Sequence, residues 1–173
     1  MRVSGLKRDS AQGDARFLTM LESMGCAVSW HDNDVLINGP LRLYGGTFDC
    51  NATPDLVPTL AAIAPAAGSA VEIVNVANLR VKESDRLSTV SSELRKLGVR
   101  VEERADALRI DPGWSDAAAT IDTHNDHRIA MAFAIAGLAR GNVTIAGEQV
   151  VSKSYPSFWR TLDSVVAESA GVR

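Results

Sequence analysis

Apolar positions along this chain recur with two periods. In Val71-Glu72-Ile73-Val74-Asn75-Val76 β-branched residues dominate, which predicts a strand, while Leu87, Val90, Leu94 and Leu97 fall three and four apart, which predicts an amphipathic helix stopped by Gly98. The pattern occurs more than once. Leu21-Glu22-Ser23-Met24-Gly25-Cys26-Ala27-Val28 matches Leu94-Arg95-Lys96-Leu97-Gly98-Val99-Arg100-Val101 at an offset of 73 positions, and the match runs without a gap to Ile37 and Ile110. Each copy reads as helix, glycine stop, short strand, polar turn and second strand. A second pair begins with Thr47-Phe48-Asp49 and Thr120-Ile121-Asp122 and continues into two apolar helices, with Asp55 to Ala64 set against Asp126 to Ile135. Val71-Glu72-Ile73 then corresponds to Val143-Thr144-Ile145, and at nearly the same offset Lys82 corresponds to Lys153.

The repeating unit is therefore strand, helix, strand, helix, strand, strand. Its period, roughly seventy residues, exceeds that of the common solenoid repeats and suits a compact block. About two and a half units are present. One complete unit runs from Gly45 to near Pro112, and a partial unit runs from near Ala118 into a helix carrying Phe158, Leu162 and Val165. Residues before Pro40 read as the second half of an earlier unit. Its first strand and helix are expected to come from elsewhere, as in a fragment or one half of a larger protein. The predicted helices Leu56 to Ala67 and Ile129 to Ala139 are apolar on nearly every face, the pattern of buried helices. The fold expected for residues 1–173 is one α/β domain of several small sheets around buried helices, rather than one doubly wound sheet. No GxGxxG or P-loop spacing follows a strand.

Composition sets limits on function. With 173 residues, 46% hydrophobic and 23% charged, the chain is expected to be globular. A net charge of −3 argues against nonspecific nucleic-acid binding, so an anion site has to be local. No stretch is long and apolar enough to span a membrane, and Met1 to Arg8 contains no apolar signal region. Cys26 and Cys50 stand alone, which predicts buried free thiols and a cytoplasmic setting.

Candidate chemistry gathers where strands meet helices. The run Asn78-Leu79-Arg80-Val81-Lys82-Glu83-Ser84-Asp85-Arg86 packs five ionisable side chains into its last seven positions. Ser84 is the expected N-cap, with Asp85 in the first turn, Lys82 and Glu83 on the loop and Arg86 on the opening turn. Cations beside free backbone N–H groups make an anion pocket, although a solvated charged cap has the same appearance. Asp55, Asp126-His127-Arg128 and Lys153 occupy equivalent or adjacent places in the repeat, which predicts convergence at one end of the domain. Asp55 follows Pro54 and also suits a helix cap. Arg128 opposes the helix dipole unless an anion shares its site. His127 fits either a cap or the pocket, Lys153 either a surface or the site, and His31 a solvated turn. His124, His127, Asp122 and Asp126 lack a repeated ligand spacing, so no metal is expected. Several cations with two carboxylates suit a small, multiply anionic substrate and proton transfer.

Arg80-Val81-Lys82-Glu83-Ser84-Asp85-Arg86, Asp126-His127-Arg128-Ile129-Ala130-Met131 and Lys153-Ser154-Tyr155-Pro156 resemble the C-terminal signatures of the 5-enolpyruvylshikimate-3-phosphate (EPSP) synthase family, the 3-phosphoshikimate 1-carboxyvinyltransferases. Ser10-Ala11-Gln12-Gly13-Asp14 and Pro54-Asp55 extend the resemblance over essentially the whole chain, with Ser154 where threonine is more usual. The family's N-terminal Lys-Ser substrate motif has no counterpart here, so the chain is similar to the C-terminal part alone. The resemblance implies an inside-out α/β barrel domain of βαβαββ units and an active site shared with an N-terminal domain. It also implies transfer of the enolpyruvyl group of phosphoenolpyruvate to the 5-hydroxyl of shikimate 3-phosphate, without metal or organic cofactor. By the same resemblance, Asp55 contacts and helps deprotonate the hydroxyl, Glu83 exchanges the methylene proton and Lys153 assists. Arg86 and Arg128 hold the phosphoenolpyruvate anion, His127 lines that pocket, and Asn78 and Lys82 face the shikimate phosphate. A UDP-sugar enolpyruvyl transferase and a non-catalytic anion-binding domain of the same fold are the alternatives.

Overall fold

A computed structural model describes residues 1–82 and 84–170. Its elements follow the repeat. The first block holds β1 (Arg2–Ser4), α1 (Arg16–Ser23), β2 (Ala27–His31) and β3 (Asp34–Asn38). The second holds β4 (Gly46–Asp49), α2 (Val57–Ile63), β5 (Val71–Val74), α3 (Arg86–Lys96), β6 (Val101–Glu103) and β7 (Leu108–Ile110). The third holds β8 (Ala119–Asp122), α4 (His127–Arg140), β9 (Val143–Ala146) and α5 (Phe158–Ala170).

The second block's sheet has the order β4-β5-β7-β6, with β4 and β5 parallel and the other pairs antiparallel. The first block fills the last three of those places as β1-β3-β2, and the third fills the first two as a parallel β8-β9 pair. The sequence offset is preserved in the pairing. Val28 faces Ile37 in one hairpin and Val101 faces Ile110 in the other. Alternation buries one face, with Val71 and Ile73 inward and Glu72 and Val74 less so.

Helices α2 and α4 pack on each other at the centre, and α3 lies against both β6 and β8. Val57, Leu60, Ala61, Ala132, Phe133 and Ala136 belong to one core cluster, in which alanines let the central helices approach closely. The predicted helix Leu56 to Ala67 is shorter than expected, an α-helix over Val57–Ile63 flanked by 3-10 turns at Pro54–Leu56 and Ala64–Ala66. Pro65 has no N–H to continue the ladder. Nor is α4 buried all round: Ile135 and Leu138 are 36% and 53% exposed, because the elements packed on it cover its other faces. A second cluster seats Phe158, Trp159 and Leu162 of α5 against Ala130, Ala134, Val150 and Val151. At Gly45 a Cβ would lie 2.3 Å from the carbonyl oxygens of Ser69 and Ala70, so only glycine lets β4 enter beside β5. No helix among the described residues is long and apolar enough to cross a membrane.

Candidate functional site

The turns leading into the two central helices are built alike. The Asp49 carboxylate accepts the Asn51 N–H at 3.0 Å and the Asp122 carboxylate accepts the His124 N–H at 2.8 Å. Thr53 N–H then bonds to the Cys50 carbonyl, and Asp126 N–H to the Thr123 carbonyl. These bonds carry the 73-residue offset through the turns, so Thr53 is equivalent to Asp126 and Asp55 to Arg128. Matching the apolar helices by sequence pairs Asp55 with Asp126 instead, because alanine-rich helices align nearly as well when shifted. The equivalent residues meet: Arg128 Nη2 lies 3.0 Å from Asp55 Oδ2, and its Nη1 donates to the Asp55 carbonyl at 3.3 Å.

Asp55 is the focus of the cluster. Besides Arg128, it pairs with Arg86 Nη1 at 2.9 Å and Lys82 Nζ at 3.7 Å, and its side chain is 40% exposed. Among the described contacts its carboxylate caps no helix; the N-cap of that turn is Thr53, which makes no side-chain cap bond. Arg86 lies beneath, 1% exposed, with Nε 2.8 Å from Asp126 Oδ2. Asp126 is fully buried, caps α4 and accepts the Arg128 N–H at 2.9 Å. Thus the cation that opposes the α4 dipole has Asp55 as its anion and Asp126 as its neighbour.

Burial pushes the Asp55 carboxyl up, but Arg128, Lys82 and Arg86 together outweigh it and hold the pKa below the ordinary 3.8. A depressed folded-state pKa contributes stability above the unfolded value, and that contribution fades as pH falls from 3.8 through the lower folded value. An NMR titration of the Asp55 side-chain carbon is expected to give a midpoint under 3.8. A midpoint at or above it would mean that the three cations do not outweigh burial.

The remaining predicted residues divide. Lys153 Nζ donates to the backbone carbonyl and Oδ1 of Asn125 at 3.1 and 3.2 Å, which places it next to Asp126 and one step out from the Asp55 cluster. His127 opens α4. Asn78 is exposed on the 3-10 turn Ala77–Val81, and no bond ties it to the cluster among the contacts described. Glu83 lies outside the described residues. Arg80 turns away, pairing with Glu103 and Asp85 and donating to the Arg104 and Ala105 carbonyls, so it fastens the turn to the β6–β7 hairpin. The N-cap of α3 is Asp85, which accepts the Ser88 N–H, rather than Ser84. A carboxylate makes the stronger cap in the positive field of the helix start. No group of three or more His, Cys, Asp and Glu among the described residues is placed to hold a metal ion.

The repeat-built α/β arrangement is the fold of solved enolpyruvyl transferases. The EPSP synthase of Acinetobacter baumannii superposes with a TM-score of 0.82 and 27% identity, over 94% of this chain and 41% of that one. The enolpyruvyl transferase NikO of Streptomyces tendae shares the fold at a TM-score of 0.66 and 20% identity, over 87% of this chain and 34% of its own. The profile of the EPSP synthase (3-phosphoshikimate 1-carboxyvinyltransferase) family matches residues 1–162, and the chain belongs to that family. The 3-phosphoshikimate 1-carboxyvinyltransferase of Syntrophobacter fumaroxidans is 52% identical over 161 residues, and that of Methanoculleus marisnigri 44% over 160. Each alignment covers 92% of this chain but 38% of the relative, so the chain spans well under half the length of these proteins.

Proposed function

We propose that this chain forms one wall of the active site of a 3-phosphoshikimate 1-carboxyvinyltransferase working in the cytoplasm, the other wall coming from an N-terminal domain. The observation that carries this reading is the half-exposed Asp55 carboxylate shared by Lys82, Arg86 and Arg128. It sets a proton acceptor among cations that suit phosphate and carboxylate. In the addition step, the 5-hydroxyl oxygen of shikimate 3-phosphate bonds to C2 of phosphoenolpyruvate, the hydroxyl proton leaves and C3 gains a proton. In the elimination, the C2–O bond to phosphate breaks and C3 returns a proton, giving the enolpyruvyl ether and inorganic phosphate. Asp55 takes the hydroxyl proton, Glu83 serves C3 and Lys153 assists. Arg86 and Arg128 hold the phosphoenolpyruvate anion, His127 lines that pocket, and Asn78 and Lys82 face the shikimate phosphate. The relatives' greater length and the free thiols of Cys26 and Cys50 support the second domain and the reducing setting, respectively.

Transition-state stabilisation from one wall is insufficient when the reacting groups must be held from both sides. In a coupled phosphate-release assay with both substrates, the chain alone is expected to show no appreciable turnover. Adding the N-terminal part of a related synthase as a separate chain is expected to produce it. Robust turnover by the chain alone would overturn the shared-site reading, and silence of the reassembled pair would count against the assigned reaction.

A further inference from the structure

Glu93 occupies an unusual place for a carboxylate. It falls on the inward side of α3, between Val90 and Leu94, and is 1% exposed. Lys96 Nζ donates to both of its oxygens at 2.8 and 2.7 Å. An i, i+3 pair of this kind ordinarily sits on a helix surface and contributes only a few tenths of a kcal/mol. Here the carboxylate reaches across to another segment. Its Oε2 accepts the backbone N–H of Asp122 at 3.0 Å, and its Oε1 lies 2.9 Å from His124 Nε2, which must carry the hydrogen because a carboxylate only accepts.

The segment it grips is the loop from β8 to α4. His124 and Asn125 are consecutive non-glycine residues with φ of 47° and 58°, a left-handed pair that persists only where the surroundings hold it. Asn125 supplies both acceptors for Lys153, and the next residue is the buried Asp126 that binds Arg86 and caps the helix bearing Arg128. Arg86 and Glu93 both lie on α3, seven residues or two turns apart, so one helix face holds the loop at two points about 10 Å apart.

The repeat provides an internal comparison. The position equivalent to Glu93 in α1 is Met20, which packs against the core. The equivalent loop, after β4, carries Asn51, Ala52 and Thr53 in place of His124, Asn125 and Asp126. Among the described residues, the ionic hold is present at the loop that bears Asp126, leads to Arg128 and meets Lys153, and not at its equivalent after β4.

We propose that Glu93 is a positioning residue: through Asp122 and His124 it fixes the β8–α4 loop in the shape that brings Lys153, Asp126 and Arg128 together for anion binding. The proposal deepens the functional reading above and rests on it. Glu93→Met is the informative variant, because Met20 shows that the fold accepts methionine at this place. Glu93→Gln keeps one acceptor oxygen and is the conservative control.

Phosphoenolpyruvate is titrated into the 173-residue chain and both variants by NMR, at a temperature where all three are folded. The Glu93→Met chain is expected to keep its core resonances, to lose exchange protection at the Asp122 amide, to shift the Arg86 Nε–H signal and to bind about tenfold more weakly. Glu93→Gln is expected to recover part of that affinity. Unchanged affinity together with an unmoved Arg86 Nε–H in Glu93→Met would overturn the proposal and leave Glu93 as a stabiliser of α3. If the unaltered chain shows no phosphoenolpyruvate shifts, the functional reading fails, while the Asp122 exchange and Arg86 signal still decide whether Glu93 positions the loop. A Glu93→Met chain that is folded at no accessible temperature would also overturn it, since the role would then be structural.

Discussion

Replacing Arg86 by methionine is expected to destabilise the domain by about 3–5 kcal/mol, the cost of stranding a buried charge. Arg86 is 1% exposed, and its Nε holds Asp126, which is fully buried. Without the guanidinium, Asp126 keeps only the Arg128 N–H at 2.9 Å among its described side-chain partners, and Asp55 loses the 2.9 Å contact that ties it to α3. Methionine fills most of the volume, so the loss measures charge and hydrogen bonding more than cavity formation. For a domain of this size the thermal midpoint is expected to fall by about 6–20 °C. Urea denaturation should show a lower midpoint with an unchanged slope. A loss below about 1 kcal/mol would show that water, not Arg86, compensates Asp126. The same substitution made on top of Asp126→Asn should cost less, by a coupling of about 0.5–3 kcal/mol.

Asp55→Asn is expected to move binding and catalysis in opposite directions. Asparagine keeps the shape and can still accept from Arg86 or Arg128, but it removes the negative charge that now faces three cations. Phosphoenolpyruvate should therefore bind the isolated chain more tightly. A unit charge about 4 Å away is worth roughly 1 kcal/mol in water and more where shielded, so the gain should be about fivefold or greater. In a complete enzyme carrying this sequence, the same change removes the proposed proton acceptor and should lower turnover about 10²–10⁴-fold. Calorimetric titration of the chain and steady-state kinetics of the complete enzyme make the comparison. Weaker binding in the first experiment would show that Asp55 organises the cations rather than competing for them. Unaltered turnover in the second would remove it from the chemistry.

The secondary-structure order, the repeat and the charged turns were legible in the chain because each depends on near neighbours. Glycine stops, three- and four-residue apolar spacing and β-branched runs act within a few positions. The 73-residue offset then reappears as strand register, as Val28 with Ile37 and Val101 with Ile110 show. Convergence of Lys82, Arg86 and Arg128 on Asp55 follows the repeat logic. Glu93 also left a signal, a carboxylate on the apolar stripe between Val90 and Leu94, but composition and motif spacing gave it no role.

What tertiary structure alone decided was which charges lie inside and whom they serve. Arg80 and Asp85 stand in the same charged run as Lys82 and Arg86, yet they fasten a turn and cap a helix. Arg86 meets Asp126 across 40 residues, Arg128 meets Asp55 across 73, and Glu93 holds His124 across 31. Local sequence fixes where a charge stands on its own element, through the period of the helix or strand. Whether that charge is buried, paired or open to a ligand depends on the counter-ion that a distant segment brings to it, and only packing of the repeats against one another supplies that partner.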